Sequence, residues 1–154
     1  MRNLFKTAIA ILALTCALHA SAQASDRGYW QAASNAASSI TGDIDIAAAK
    51  LSIDFKGYTI APIRTIKPEE VSAVFDADVN TAGSGTLYRL NVPAAQRFLH
   101  KNTLCGSEDT QWMVTYVEGK SLQVAFFSGN AAPTLTFDAV SHSTDLCGVY
   151  TYAR

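Results

Sequence analysis

Two short polar stretches hold most of the side chains in this chain that could act in binding or catalysis. They lie at residues 100–112 and 141–145, and each adjoins a cysteine, Cys105 or Cys147. If these cysteines pair, the stretches become neighbours at one end of the fold, where rigidly held loops commonly carry binding residues. The alternative is a pair of ordinary loops without a binding role. The candidate binding residues are His100, Lys101, Asn102, Ser107, Glu108, Asp109, His142, Ser143 and Asp145.

Patterns that would indicate catalysis are weak. Residues 142–145 contain the residue types of a hydrolase triad, but triad members converge from distant segments, so a polar loop is the better interpretation. Three carboxylate pairs, the kind of pair that a glycosidase needs, have the ordinary interpretation of surface or turn residues: Asp43 with Asp45, Asp76 with Asp78, and Glu108 with Asp109. The sequence contains no nucleophile elbow, P-loop or H-E-x-x-H motif. We therefore predict that the protein is not an enzyme and has no catalytic residue. If it were an enzyme, the first residues to mutate would be His100, His142, Glu108 and Asp109.

The N-terminus has the pattern of a signal peptide. Two basic residues, Arg2 and Lys6, precede an apolar run of about 12 residues, which is shorter than the roughly 20 that span a bilayer. Small-x-small cleavage sites follow at residues 20–22 and 22–24. We predict a signal peptide at residues 1–22, with cleavage after residue 24 as the alternative, and a periplasmic or secreted protein. Membrane anchoring and lipidation of Cys16 are less favoured, because Cys16 lacks the leucine that lipoprotein sites place three residues earlier.

Export decides the expected state of the two remaining cysteines. In an oxidising compartment Cys105 and Cys147 are expected to form a disulfide. The bridge would close a loop of about 43 residues, which the chain-entropy model values at roughly 4 kcal/mol. A zinc site would need four closely spaced ligands, and His100 and His142 do not have that spacing from either cysteine. We predict a disulfide, no metal site and no cofactor.

Composition narrows the function classes of the mature chain, residues 25–154, which has the length of one domain. Cleavage removes Arg2 and Lys6, so the formal charge falls from -1 to about -3. The charges are scattered and form no basic patch, which argues against nucleic acid as a partner. We also expect no membrane span after cleavage, while the sequence leaves the oligomeric state open.

Alternation of apolar and polar residues predicts a mainly β fold. The expected strands are residues 40–46, 51–55, 58–66, 86–92, 111–117, 122–127, 134–140 and 149–152. Tight turns are expected at residues 56–57 and 118–121, and Pro62 predicts an edge strand or a bulge. Short helices are expected from Pro68 and Pro93, because proline suits the first helical position. We predict a small antiparallel β-barrel or strongly curved sheet of about eight strands, with one or two short helices and one disulfide.

The tripeptide Gly28-Tyr29-Trp30 resembles the G-x-W that opens the first strand of lipocalin-like barrels. A tryptophan that plugs one end of any small barrel or sandwich is the preferred alternative. Residues 24–39 around it are expected to form a loose helix or an extended lead-in.

Three functions are compatible with these features. We favour a small exported binding protein of the inhibitor type, which would present the disulfide-tethered loops to a protein partner in the cell envelope. The first alternative is a lipocalin-like carrier of a small apolar ligand. The second is a structural envelope protein, a class without a sequence signature. The carrier's pocket would be lined by Trp30, Phe55, Tyr88, Trp112, Tyr116 and Phe126.

Overall fold

Eight antiparallel strands, each paired with its neighbours in chain order, close into a barrel when the last strand pairs with the first. The computed structural model describes residues 25–80 and 83–154, so the predicted signal peptide lies outside the described residues. The strands are β1 (Gly28–Ala32), β2 (Ile44–Ile46), β3 (Lys50–Ile53), β4 (Lys56–Thr65), β5 (Ser84–Val92), β6 (Thr110–Glu118), β7 (Ser121–Phe127) and β8 (Leu146–Ala153). Two short α-helices accompany them, α1 (Pro68–Phe75) and α2 (Phe137–Ser141). The predicted fold class is confirmed.

Alternation along the strands separates two apolar clusters. In β7, Leu122, Val124 and Phe126 face the barrel interior, whereas Ala125 and Phe127 belong to a cluster on its outer surface. Burial on both sides of the sheet is why β6 and β7 are so apolar in sequence. The interior cluster contains seven aromatic rings, those of Trp30, Tyr58, Tyr88, Phe98, Phe126, Tyr150 and Tyr152.

The outer cluster is covered by the two helices. The stripe predicted for α1, Val71, Val74 and Phe75, is buried there, and the Phe75 ring stacks on Tyr116 with centroids 5.9 Å apart. Helix α1 begins at proline as predicted, and the Glu70 carboxylate accepts the Lys67 backbone N–H at 2.8 Å. The helix therefore starts where the β4 strand ends and lies along the outside of the barrel.

Several local predictions were wrong. Residues 134–140 form no strand, because the Thr136 hydroxyl accepts the Ala139 N–H at 3.3 Å and starts α2. The helix expected at residues 93–99 is absent, and only a 3-10 turn at Leu99–Lys101 overlaps its last residue. Ala37–Thr41 is a π-helical segment, so the strand expected from residue 40 begins only at Ile44. Conversely, Gly28–Ala32, expected as a lead-in, is β1, and its G-x-W tripeptide opens that strand.

The predicted irregularity at Pro62 is confirmed. The register between β4 and β5 shifts between Pro62 and Arg64, while the pairing of β4 with β3 ends at Thr59. Proline is tolerated there because no ladder hydrogen bond requires its missing N–H.

The up-and-down order gives the barrel two different ends. We call the first the loop end; it carries the connections 33–43, 54–55, 93–109 and 128–145. We call the other the terminus end, since the described chain begins and ends there. At the terminus end the Arg154 guanidinium lies 4.1 Å from the Trp30 ring centroid and donates to the backbone oxygens of Ser25 and Arg27. The first and last strands are therefore joined by side-chain contacts as well as by their ladder.

Candidate functional site

The disulfide between Cys105 and Cys147 lies at the loop end and confirms the predicted pairing. Cys105 belongs to connection 93–109, and Cys147 is the second residue of β8 instead of preceding the strand as expected. The Thr110 hydroxyl donates to Cys105 Sγ at 3.2 Å. The bridge therefore holds a long connection against the last strand.

The candidate residues of the first stretch lie on different parts of this connection. His100 and Lys101 are exposed and have left-handed φ angles of 54° and 63°. Asn102 donates from its side-chain amide to the Ser39 backbone oxygen at 3.1 Å, which fixes the turn to the π-helical segment. Ser107 and Glu108 are exposed, and the Asp109 carboxylate accepts the Ala94 N–H at 2.7 Å. Asn102 and Asp109 thus fasten the loop, while the other four face solvent.

The candidate residues of the second stretch make local contacts. His142 follows the last residue of α2, and its ring lies 3.6 Å from the carboxylate of Asp138 in the first turn of that helix. The Ser143 hydroxyl accepts the backbone N–H groups of Asp145 and Leu146 at 3.1 and 3.3 Å. Within the described part of the chain, no hydrogen bond or ion pair links these residues to the candidates of the first stretch. The disulfide joins the stretches, but their side chains do not form one constellation.

The most unusual feature of the loop end is Phe55, which the sequence suggested only as part of the lining of an interior pocket. The β3–β4 hairpin turns at Asp54 and Phe55, whose φ angles of 48° and 59° are both left-handed. The sequence favoured a turn at residues 56–57, but the register pairs Ile53 with Lys56, so both of those residues lie in β4. Phe55 was expected to continue the apolar face of Leu51 and is instead fully exposed, at 106%.

A groove of about 340 Å³ opens beside this turn. The exposed rings of Tyr29 and Phe55 line it together with the carboxylates of Asp43, Asp45 and Asp54, and Leu99 reaches it from connection 93–109. Tyr29 and Asp45 are directly opposite each other in the β1–β2 ladder, which places both on the outer face of the barrel. The groove is therefore formed by the outer face of β1 to β3 and by the loop end.

Hydrogen bonds fix one of these carboxylates. The Tyr29 hydroxyl donates to Asp43 Oδ2, and the Ala32 N–H donates to Asp43 Oδ1 at 2.9 Å. The tyrosine bond, with the backbone bond second, lowers the pKa of Asp43 below its usual range, and the same carboxylate raises the pKa of Tyr29. Asp54 lies 3.4 Å from the Lys56 ammonium group. Asp43 therefore remains ionised, and Tyr29 remains a neutral donor.

The aromatic residues expected around a single carrier pocket lie in three places. Trp30, Tyr88 and Phe126 are in the barrel interior, Trp112 and Tyr116 are in the outer cluster, and Phe55 is in solvent. The expected lining is therefore wrong as a set, because β6 turns its tryptophan and tyrosine outward.

Three further observations bear on function. In residues 25–80 and 83–154, no group of three or more His, Cys, Asp or Glu residues could hold a metal ion. No helix in these ranges is long and apolar enough to cross a membrane. Comparison with protein-family models, curated proteins and solved structures found no match for the chain.

Proposed function

We propose that this chain is an exported binding protein whose partner, a protein of the cell envelope, docks on the loop end with Phe55 as its anchor. Periplasmic or secreted localisation follows from the signal-peptide pattern of residues 1–24. The disulfide supports it, because such bridges persist in oxidising compartments.

The exposure of Phe55 on a left-handed turn carries the proposal. A left-handed φ costs roughly 1–2 kcal/mol for a residue with a side chain, and glycine would avoid that cost. Burying a phenylalanine is worth about 1.5–3 kcal/mol, which this chain forgoes at position 55. Phe55 adds backbone strain and contributes no packing within the barrel. Burial of its ring by a partner surface would account for both features.

The surroundings of Phe55 are held in place before any partner binds. Lys56, next in sequence, donates to the Arg97 backbone oxygen at 2.9 Å, and its ammonium group lies 5.8 Å from the Phe98 ring centroid. Phe98 is itself buried in the interior cluster. Such pre-organisation reduces the entropy that binding must overcome.

The barrel interior supports surface docking over carriage of an apolar ligand. An eight-stranded barrel is wide enough either for side chains to fill it or for one small ligand, so the side chains that point inward decide between the two. Here seven aromatic rings belong to the interior cluster, and one of them, Phe98, enters it together with Leu104 from connection 93–109 at the loop end. A carried ligand would have to displace side chains that are at most 9% exposed.

Affinity capture from the envelope fraction of the source organism tests the proposal. Immobilised wild-type protein is compared with Phe55→Ala and with Ile63→Ala, a control that removes an exposed apolar side chain from the part of β4 near the terminus end. We expect wild type and Ile63→Ala to retain the same protein, and Phe55→Ala to bind it about 30-fold more weakly, as removal of an aromatic anchor does. Equal capture by all three proteins, or by none, would overturn the proposal.

A further inference from the structure

We infer that the groove beside Phe55 receives a lysine or arginine side chain of the docking partner. This inference rests on the proposed function and specifies the chemistry of its partner. It depends on the shape of the groove, on two exposed rings and on the charge around them.

The two rings provide faces on which a cation can lie. Tyr29 is 56% exposed and Phe55 fully exposed, and both line the groove. A cation within about 6 Å of an aromatic face is attracted by the ring quadrupole. Elsewhere the chain uses this contact internally, with the Arg154 guanidinium 4.1 Å from the Trp30 centroid. At the groove, no cation of the described chain occupies the faces of Tyr29 and Phe55.

The charge around the groove is negative and only partly compensated. Asp43 is held ionised by its two hydrogen bonds, and Asp54 forms an ion pair with the Lys56 ammonium group. Asp45 is exposed, and its carboxylate has no hydrogen-bond or ion-pair partner among the described residues. The groove therefore has three carboxylates and one ion-paired cation of the chain itself. A positively charged group of the partner would compensate the remaining negative charge.

The groove also has an apolar part, which favours a side chain over a small ion. Leu99 and Gly42 line it from the two neighbouring connections, and a Cβ on Gly42 would lie 3.2 Å from Leu99 Cδ1. Lysine and arginine bury their methylene stems along such surfaces while the charged head stays among carboxylates. A volume of about 340 Å³ is at the lower limit for a drug-sized ligand, so one long side chain is a suitable occupant.

The test is an NMR titration of isotope-labelled protein, purified after export, with tri-arginine as the probe. Tri-citrulline, a neutral peptide of nearly the same shape, is the matched control probe. We expect saturable shifts of the Tyr29, Asp45 and Phe55 amides with tri-arginine and none with tri-citrulline. Asp45→Asn should weaken binding about threefold, the scale of an exposed ion pair, and Asp138→Asn, a change at an exposed aspartate of α2, should not.

Three results would overturn the inference: equal shifts with tri-citrulline, equal weakening by both aspartate variants, or shifts spread over every acidic surface. The outcome can be separated from that of the capture experiment. Phe55-dependent capture without tri-arginine binding keeps the docking surface and removes the cation. Tri-arginine binding without any captured partner keeps the chemistry of the groove and removes the proposed function.

Discussion

Asp26 is the residue that satisfies the buried polar groups at the terminus end of the barrel. Its Oδ2 atom accepts the Tyr88 hydroxyl at 2.8 Å and the Thr115 hydroxyl at 2.7 Å, while its backbone oxygen accepts the Trp30 indole N–H at 2.8 Å. Tyr88 is 4% exposed and Thr115 is fully buried. Because water reaches neither hydroxyl readily, the carboxylate is their principal partner.

Replacing this carboxylate should therefore cost more than an ordinary surface substitution. We expect Asp26→Ala to lower the free energy of unfolding by about 1–3 kcal/mol, because two buried hydroxyl groups lose their carboxylate acceptor and Thr115 keeps only a 3.4 Å bond to the Thr86 backbone oxygen. Urea unfolding measures the change. Adding Tyr88→Phe and Thr115→Val should recover part of the loss, since removing both partners of a buried bond is nearly neutral. An Asp26→Ala variant as stable as Asp138→Ala would contradict this account.

At the scale of elements, the β3–β4 turn is expected to link stability to the proposed binding. We expect Phe55→Gly to raise the free energy of unfolding by about 1 kcal/mol, because Asp-Gly suits two left-handed positions. The same change should abolish Phe55-dependent partner capture. Chemical denaturation and the capture assay on the same preparations check both results, and a stability gain at the expense of binding is the expected trade-off.

The β6–β7 hairpin provides the reverse control. Gly119 has a φ of 58°, and a Cβ added there would meet nothing within 4 Å. Gly119→Ala should therefore lower the free energy of unfolding by about 1 kcal/mol through backbone strain alone. If Phe55→Gly also destabilised the protein, the turn would not be strained and the exposed ring would need another explanation.

The elements that the sequence predicted well are those with local partners. Strands β6 and β7 form a hairpin in which Val117 pairs with Leu122, so their alternation is read correctly over a short span. Strand β1 is different, because Gln31 pairs with Ala153 at the far end of the chain. Period-two alternation also misled at residues 134–140, where a single threonine cap outweighs it.

The site shows the same division between local and distant information. The disulfide could be predicted because the expected compartment and the cysteine count both point to it. The exposure of Phe55 could not be predicted. It depends on the pairing of Ile53 with Lys56, and no local motif specifies that register. Asp43 and Asp45 were noted as an ordinary carboxylate pair, and only the fold places Tyr29 beside them.

At the scale of the whole molecule, the barrel wall contributes side chains to both apolar clusters, one on each of its faces. Val114 and Met113 are adjacent in β6, fully buried, and belong to the outer and the interior cluster respectively. Helices α1 and α2 come from opposite ends of the barrel and meet over its outer surface. Unfolding the helices therefore exposes the outside of β6 and β7, so the helices and the barrel should unfold as one cooperative unit.

The tyrosines inside the barrel predict how this unit responds to alkali. Burial raises the pKa of Tyr88, Tyr150 and Tyr152 above the ordinary value. Their contribution to stability is complete below about pH 10, where the unfolded chain begins to ionise, and is lost as the pH rises through the folded-state values. Above about pH 10, a tyrosine that is protonated in the folded state and ionised in the unfolded state lowers the free energy of unfolding by about 1.4 kcal/mol per pH unit.

Urea unfolding between pH 8 and 11.5 should therefore show a free energy of unfolding that falls more steeply than one tyrosine can explain. The control is Tyr152→Phe, which removes one titrating group together with its 2.7 Å hydrogen bond to Thr41. This variant should be less stable at pH 8 and should show a shallower decline above pH 10. If tyrosinate absorbance instead showed every tyrosine of the folded protein ionising near pH 10, the interior would be open to water, and a cavity for a carried ligand would regain support over docking on the loop end.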